Sequence, residues 1–177
     1  MRLFIALNFT HREKDALEEV QALLKENSAA GNFTRRQNLH TTLFFLGEVT
    51  PERIPALRNI LKITGDKTAP FVLQYDQMGY FSGKGREKLW YLTCDTPREL
   101  TNLVARLHKA LRQQGFSLED RDFIPHVTLC RRCISDHSPG PVSPIAVRCS
   151  SMELMLSEHI DGVLTYTPIF SAPFSCN

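Results

Sequence analysis

The sequence repeats itself at an offset of 86 residues. His40-Thr41-Thr42-Leu43 recurs as His126-Val127-Thr128-Leu129, Leu17 falls on Leu103, and Leu3-Phe4-Ile5 falls on Leu89-Trp90-Tyr91. Each copy reads as a strand, a helix and then a β-prone run that carries the His-x-Thr cassette. The middles of the two helices do not match letter for letter, so what repeats is the pattern. A solenoid needs several stacked units. One repetition instead predicts two similar lobes about a pseudo-two-fold axis, in repeat units of about residues 1–86 and 87–177.

Local signals fill in this outline. Leu3 to Leu7 reads as a buried strand, and Thr10 is placed to cap a helix over His11 to Asn27 with Leu17, Val20, Leu23 and Leu24 at helical spacing. Arg35 to Leu46 turns extended and ends at Gly47. Thr50-Pro51 reads as N-cap and N1 of a second helix reaching Ile63. Phe71 to Tyr75 is a strand, Ser82 to Arg86 a turn, and Leu89 to Leu92 a strand. Pro97 to Gln113 is a helix with Leu100, Leu103, Val104, Leu107 and Leu111 on one face. Ser150 to Ser157 and Val163 to Phe170 read as a hairpin around Asp161-Gly162. Strands and helices do not alternate strictly, which favours an α+β fold. The expected architecture is a bilobal pseudo-two-fold pair of antiparallel sheets flanked by helices, with an active-site groove between the lobes, the whole of 1–177 forming one domain.

Composition narrows the function classes. Hydrophobic residues at 42% and charged residues at 23% are ordinary for a soluble globular protein. A net charge of +2 is too small for a histone-like grip on nucleic acid, so any such contact rests on local clusters. No run approaches the ~20 apolar residues of a membrane helix, and Met1 to Phe9 reads as a strand and not as a signal-peptide core. Five scattered cysteines suggest free thiols in a reducing compartment, and therefore a cytoplasmic protein.

The cassettes carry the chemistry. Along a strand, His and Thr two residues apart share one face while the following Leu turns to the other. Two such pairs offer two imidazoles and two hydroxyls around one small anionic group. Opening a phosphodiester is an in-line displacement, with a base wanted on the attack side and an acid on the departure side. Imidazole serves both because its ordinary pKa, about 6.5, lies near working pH. The hydroxyls of Thr42 and Thr128 can donate to the non-bridging oxygens. A lone histidine in a strand is usually structural, but two at one offset in a repeated unit are hard to explain that way. The motifs alone leave the acid and base labels exchangeable.

Leu3-Phe4-Ile5-Ala6-Leu7, Asn38-Leu39-His40-Thr41-Thr42-Leu43 with Phe44-Phe45-Leu46-Gly47, Pro125-His126-Val127-Thr128-Leu129 and Tyr166-Thr167-Pro168 together resemble the two-histidine (2H) phosphoesterases. Within them, the chain resembles the bacterial RNA 2',3'-cyclic phosphodiesterase family, also called 2'-5' RNA ligases. Both extended patterns of that family, His-x-Thr-x-x-Phe and His-x-Thr-x-x-Arg, are intact and end at Phe45 and Arg131. The resemblance implies that His40 is the general acid protonating the departing ribose 3' oxygen and His126 the general base activating water. It also implies that Arg131 binds the phosphate, Phe45 stacks on the base, and the product is a 2'-phosphate. The expected activity is metal-independent hydrolysis of RNA terminal 2',3'-cyclic phosphate, with reversible ATP-independent 2'-5' ligation. Hydrolysis of 2'-5' linkages or small cyclic nucleotides, or a non-catalytic RNA-binding module on the same fold, are the alternatives. No cofactor and no metal are expected. The expected partners are single-stranded RNA ends or small cyclic nucleotides, with no membrane and no obligate protein partner, the chain acting as a monomer.

Strict alternation turns position +5 from each histidine away from the groove. The roles of Phe45 and Arg131 therefore require a shared bulge or strand end near +4. Arg35-Arg36 and Arg131-Arg132 are expected to rim the groove. Cys130-Arg131-Arg132-Cys133 lacks further zinc ligands at usable spacing, Cys94, Cys149 and Cys176 being isolated. Ser82-Gly83-Lys84-Gly85-Arg86 lacks the order of a phosphate loop, and no Lys-x-Asp-Gly nucleotidyl-transfer motif occurs. His11, His108, His137 and His159 have no partner threonine and read as structural or surface residues.

Overall fold

Nine antiparallel strands and three helices build the part of the chain that the computed structural model describes, residues 1–118, 122–135 and 140–175. His137 and Cys176 lie outside the described residues. The strands are β1 (Arg2–Asn8), β2 (Ala30–Phe33), β3 (His40–Glu48), β4 (Phe71–Ser82), β5 (Glu87–Cys94), β6 (His126–Ile134), β7 (Ile145–Cys149), β8 (Ser151–Ile160) and β9 (Val163–Pro173). The helices are α1 (His11–Glu26), α2 (Ile54–Asp66) and α3 (Arg98–Gln113). The fold is α+β, as its sequence pattern indicates. No helix among the described residues is long and apolar enough to cross a membrane.

The sheet runs β7-β4-β5-β6-β3-β1-β8-β9, with β2 added on β6. Its two halves are the two antiparallel sheets expected from the repeat, and they meet at a narrow seam. Between β3 and β6 one pair is in register, Thr41 opposite Val127, the residues that follow the two cassette histidines. The pairings cross the middle of the chain: β4 joins β5 and β7, while β8 and β9 extend β1.

The register corrects the offset on the inner strands. His40 lies opposite Asn8 and Thr42 opposite Ala6, whereas His126 lies opposite Thr93 and Thr128 opposite Tyr91. Asn8 and Thr93 are 85 apart, one residue less than the cassettes, so Tyr91 occupies the place of Ala6 and not of Ile5. A one-residue slip exchanges the two faces of a strand. The lobes therefore present different side chains at equivalent places.

Leu3, Ile5 and Leu7 of β1 face one continuous core with Leu17, Val20 and Leu24 of α1 and Leu100, Leu103, Leu107 and Leu111 of α3. Leu23 is exposed, against the helical reading, because Gln21 takes the buried side of α1 instead. Thr10 caps α1 in a reciprocal capping box with Glu13. Thr50 makes no such cap, and residues Pro51–Arg53 form a single 3-10 turn before α2 begins at Ile54. The cause is Pro55, which has no N–H to donate to the carbonyl of Pro51, so the first α turn cannot close there. A small second apolar cluster, Phe4, Ala6 and Met155 with Tyr166, covers the opposite face of β1.

Candidate active site

The Thr41–Val127 seam organises the site. Side chains alternate along a strand, so His40 and Thr42 on β3, and His126 and Thr128 on β6, share the face opposite Thr41 and Val127. That opposite face is core: Thr41, Val127, Leu43 and Leu129 are all buried. The four cassette groups thus converge across the seam, on the face that carries Phe4 and Tyr166.

Both imidazoles are held in the same way. Nδ1 of His40 donates to the carbonyl of Asn38 at 2.7 Å, and Nδ1 of His126 to the carbonyl of Ile124 at 2.8 Å. A carbonyl only accepts, so each Nδ1 carries the proton of the neutral ring and Nε2 does not. In His40, Nε2 lies 2.8 Å from Thr42 Oγ1, which donates to it when the ring is neutral.

The ring of His40 is packed by Phe4 at 4.9 Å and edge-on by Tyr166 at 5.2 Å between centroids. Its pKa is pushed down to about 4, first by burial and then by the positive charges of Arg131, His126 and Lys14, with the bond to the Asn38 carbonyl partly offsetting them. The influence of Arg131 and His126 on His40 reflects how closely β6 faces β3. His126 has a different wall, with Tyr91 at 5.4 Å and Phe81 at 6.1 Å.

Both cassette strands bulge where the +5 residues require it. Opposite β1, Thr42 and Phe44 pair with the consecutive residues Ala6 and Ile5, leaving Leu43 extra; opposite β5, Thr128 and Cys130 pair with Tyr91 and Trp90, leaving Leu129 extra. The bulge lies at +3 in each strand, and it resets the alternation. Phe45 consequently stands on the histidine face, 6.0 Å from the Phe4 ring, and is exposed. Arg131 is exposed as well, and its charge reaches His40. The same strand then turns through Arg132, whose φ of 49° returns Cys133 to the core beside Cys130.

Other polar groups around His40 have no motif. Asn8, opposite His40, donates through Nδ2 to Glu153 Oε2, and Ser151 donates to the other oxygen of that carboxylate at 3.2 Å. Lys14 of α1 is half-buried, which lowers its pKa, and Arg36 lowers it further while Glu153 raises it. A polar residue ending the apolar run Leu3 to Leu7 was the available signal for Asn8; Lys14 and Glu153 gave none. Arg36 is turned away from a groove role by ion pairs to Asp15 at 2.7 Å and to Glu18. Among the described residues, no three His, Cys, Asp or Glu side chains are grouped to hold a metal ion.

A family model described as LigT like phosphoesterase matches residues 9–91 and 92–157. A Thermotoga maritima protein named RNA 2',3'-cyclic phosphodiesterase is 30% identical over 133 residues, 74% of this chain and 70% of that one. An Archaeoglobus fulgidus protein of the same name is also 30% identical over 133 residues, 74% of this chain and 72% of its own. Among solved structures, E. coli LigT complexed with 3'-AMP superposes with a TM-score of 0.84 at 25% identity, over 98% of each chain.

Proposed function

The chain belongs to the LigT-like phosphoesterase family, and from that premise we propose that it hydrolyses the 2',3'-cyclic phosphate at RNA ends to a 2'-phosphate, without a metal ion. The observation that carries this reading is the seam: one registered pair sets two imidazoles, each with Nδ1 tied to a carbonyl, on one face of the sheet. The relatives named for this activity and the 3'-AMP held by E. coli LigT support the same substrate chemistry.

In this mechanism the phosphate lies between the imidazoles. Nε2 of His126 takes the proton of the attacking water, and Nε2 of His40 delivers its proton to the 3' oxygen as the P–O3' bond breaks. Thr42, Thr128 and Arg131 stabilise the charge on the non-bridging oxygens, and Phe45 stacks on the base. His40 is neutral in the resting protein. A bound phosphate supplies the negative charge that raises its pKa and lets it carry the proton. The same groove with a nucleoside alcohol in place of water forms or opens a 2'-5' linkage without ATP. One chain carries both cassettes, so a monomer suffices. Four buried free thiols, Cys94, Cys130, Cys133 and Cys149, suit the cytoplasm.

The low pKa of His40 favours a second reading in which His40 is the base and His126 the acid. A substrate with sulfur in place of the 3' oxygen separates the two, because a departing thiolate needs no proton. Recovery of His40→Ala on that substrate supports the first assignment, and recovery of His126→Ala supports the second. The primary test incubates the EDTA-treated protein with a short RNA ending in 2',3'-cyclic phosphate. A 2'-phosphate is expected, with losses of about 10²–10⁴-fold in either histidine variant. A 3'-phosphate overturns the regiochemistry, and RNA bound without turnover overturns the enzyme in favour of a binding module.

A further inference from the structure

Beyond the cassettes, the His126 side of the groove has an aromatic surface that the reaction above leaves unused. Strand β4 runs past β5 with Gly79 opposite Tyr91 and Phe81 opposite Leu89, so Gly79 and Phe81 share the face on which Tyr91 and Thr128 stand. A Cβ at Gly79 would come within 2.6 Å of Cζ and Oη of Tyr91. The missing side chain is what lets the Tyr91 ring lie across β4. Phe81 packs on that ring at 4.7 Å with 34° between planes, and both rings reach His126, at 6.1 and 5.4 Å.

The hairpin has a second set of aromatic contacts that does not involve Phe81. On its other face Tyr80 packs against Trp90 at 5.0 Å, and Lys88 Nζ sits 4.6 Å from the Tyr80 ring centre. Phe81 remains 44% exposed, and on the far side of the seam Phe45 is 56% exposed beyond Phe4 and His40. Each histidine therefore has its own solvent-facing phenylalanine, from positions that the repeat does not relate.

In-line geometry says what these two rings would meet. The leaving oxygen and its ribose lie on the His40 side, with their base on Phe45. The attacking oxygen lies on the His126 side. Water brings nothing with it, but a 5'-hydroxyl brings a nucleoside. We propose that Phe81 and Tyr91 form a second nucleobase subsite, which holds the nucleoside whose 5'-hydroxyl replaces water as the attacking group. The proposal rests on the function and proton roles given above and extends them to the choice of acceptor. The step balances: O5' bonds to phosphorus and P–O3' breaks, His126 takes the O5' proton, and His40 gives a proton to O3'. The product is a 2'-5' linkage with a free 3'-hydroxyl. Run backwards, the same step cleaves a 2'-5' linkage to a cyclic phosphate and a 5'-hydroxyl.

The test compares kcat/KM for cleaving 2'-5'-linked adenylyl-adenosine with kcat/KM for hydrolysing adenosine 2',3'-cyclic phosphate, in the wild type, Phe81→Ala and Phe81→Trp. A base on an aromatic ring is worth about 1–3 kcal/mol, so Phe81→Ala is expected to lower the ratio of dinucleotide to mononucleotide activity by about 5- to 150-fold. Phe81→Trp should restore it. An unchanged ratio, or a fall that Trp does not restore, overturns the subsite. So does a fall confined to hydrolysis of a dinucleotide that itself ends in 2',3'-cyclic phosphate, since the penultimate base would then be the occupant. If the wild type hydrolyses the cyclic mononucleotide but leaves the dinucleotide intact, the acceptor role is overturned. Turnover of neither substrate, nor of a short RNA ending in 2',3'-cyclic phosphate, overturns the proposed function instead; equilibrium binding of the uncleaved dinucleotide to wild type and Phe81→Ala then decides the subsite, equal affinities refuting it.

Discussion

Asn38 and Tyr166 are tied to each other beside the His40 ring. The backbone N–H of Tyr166 donates to Asn38 Oδ1 at 3.2 Å, Asn38 Nδ2 donates to the Leu164 carbonyl at 2.8 Å, and the carbonyl of Asn38 holds His40 Nδ1. One residue thus docks strand β9 and orients the imidazole that β9 helps to cover.

Asn38→Ala removes both side-chain bonds and leaves two backbone groups of β9 without this partner. A stability loss of about 1–3 kcal/mol is expected, seen as a lower urea midpoint. Because the carbonyl remains, His40 keeps its tautomer and loses its fixed position. The expectation is a fall in kcat larger than any rise in KM. Wild-type kcat in a folded Asn38→Ala protein would refute the link.

His40 is expected to titrate well below an ordinary histidine, near 4 in the free protein, in a ring-proton NMR titration. Over the window from 6.5 down to about 4 the unfolded chain binds a proton at this position and the folded chain does not. Stability therefore falls as the pH drops through that window, and the deficit is complete below it. Replacing His40 by Asn should flatten this part of the stability profile. Lys14→Met removes one of the charges that lower the pKa, so it should shift the titration upward. A midpoint near 6.5 in the free wild type would contradict the desolvation argument.

The histidine face was legible because its signal is local: His and Thr two apart in a β-prone run fix a shared face without tertiary information. The need for a bulge before Phe45 and Arg131 was legible too, from the conflict between alternation and role. The one-residue slip of β5 against β1 was not, since Leu89-Trp90-Tyr91 matches Leu3-Phe4-Ile5 in hydrophobicity and only pairing partners reveal the register. Strand β2 was hidden by Ala30-Gly31-Asn32, which reads as a loop; Gly31 is there because a side chain would collide with the Cys130 sulfur. Asn8, Lys14 and Glu153 come from three separate elements, and no spacing along the chain connects them.

On the core side of the seam, Thr41 Oγ1 and Tyr75 Oη share a 2.6 Å hydrogen bond, with both residues fully buried. Burial pushes the pKa of the Tyr75 hydroxyl up, so it stays protonated and able to donate. Thr41→Val takes this bond from the buried tyrosine hydroxyl, and Tyr75→Phe takes it from the buried Thr41 hydroxyl. Each single variant is expected to cost about 1–3 kcal/mol, and the double variant less than the sum. Urea denaturation of the three proteins checks this, and additive losses would show that the bond contributes nothing.

The bulge that aims Arg131 is itself held from α1. Gln21 Nε2 donates to the carbonyls of Leu129 and Thr34 at 2.8 and 2.9 Å, and the N–H of Thr34 also donates to Leu129 at 2.9 Å. Leu129 is the extra residue of β6, so its carbonyl is met by α1 and by the chain leaving β2. Gln21→Leu keeps the size of the side chain and removes both of its bonds. The Leu129 carbonyl keeps the Thr34 N–H, so the loss of the two side-chain bonds is expected to cost about 1–3 kcal/mol. Because the bulge sets which way position +5 faces, Arg131 should lose its aim, and phosphate should bind more weakly as a competitive inhibitor. Gln21→Glu gives a second reading, since a carboxylate cannot donate to either carbonyl and should weaken phosphate at least as much. Lowered stability with unchanged phosphate inhibition in both variants would mean that the bulge does not depend on Gln21 and that Arg131 is aimed by its own strand alone.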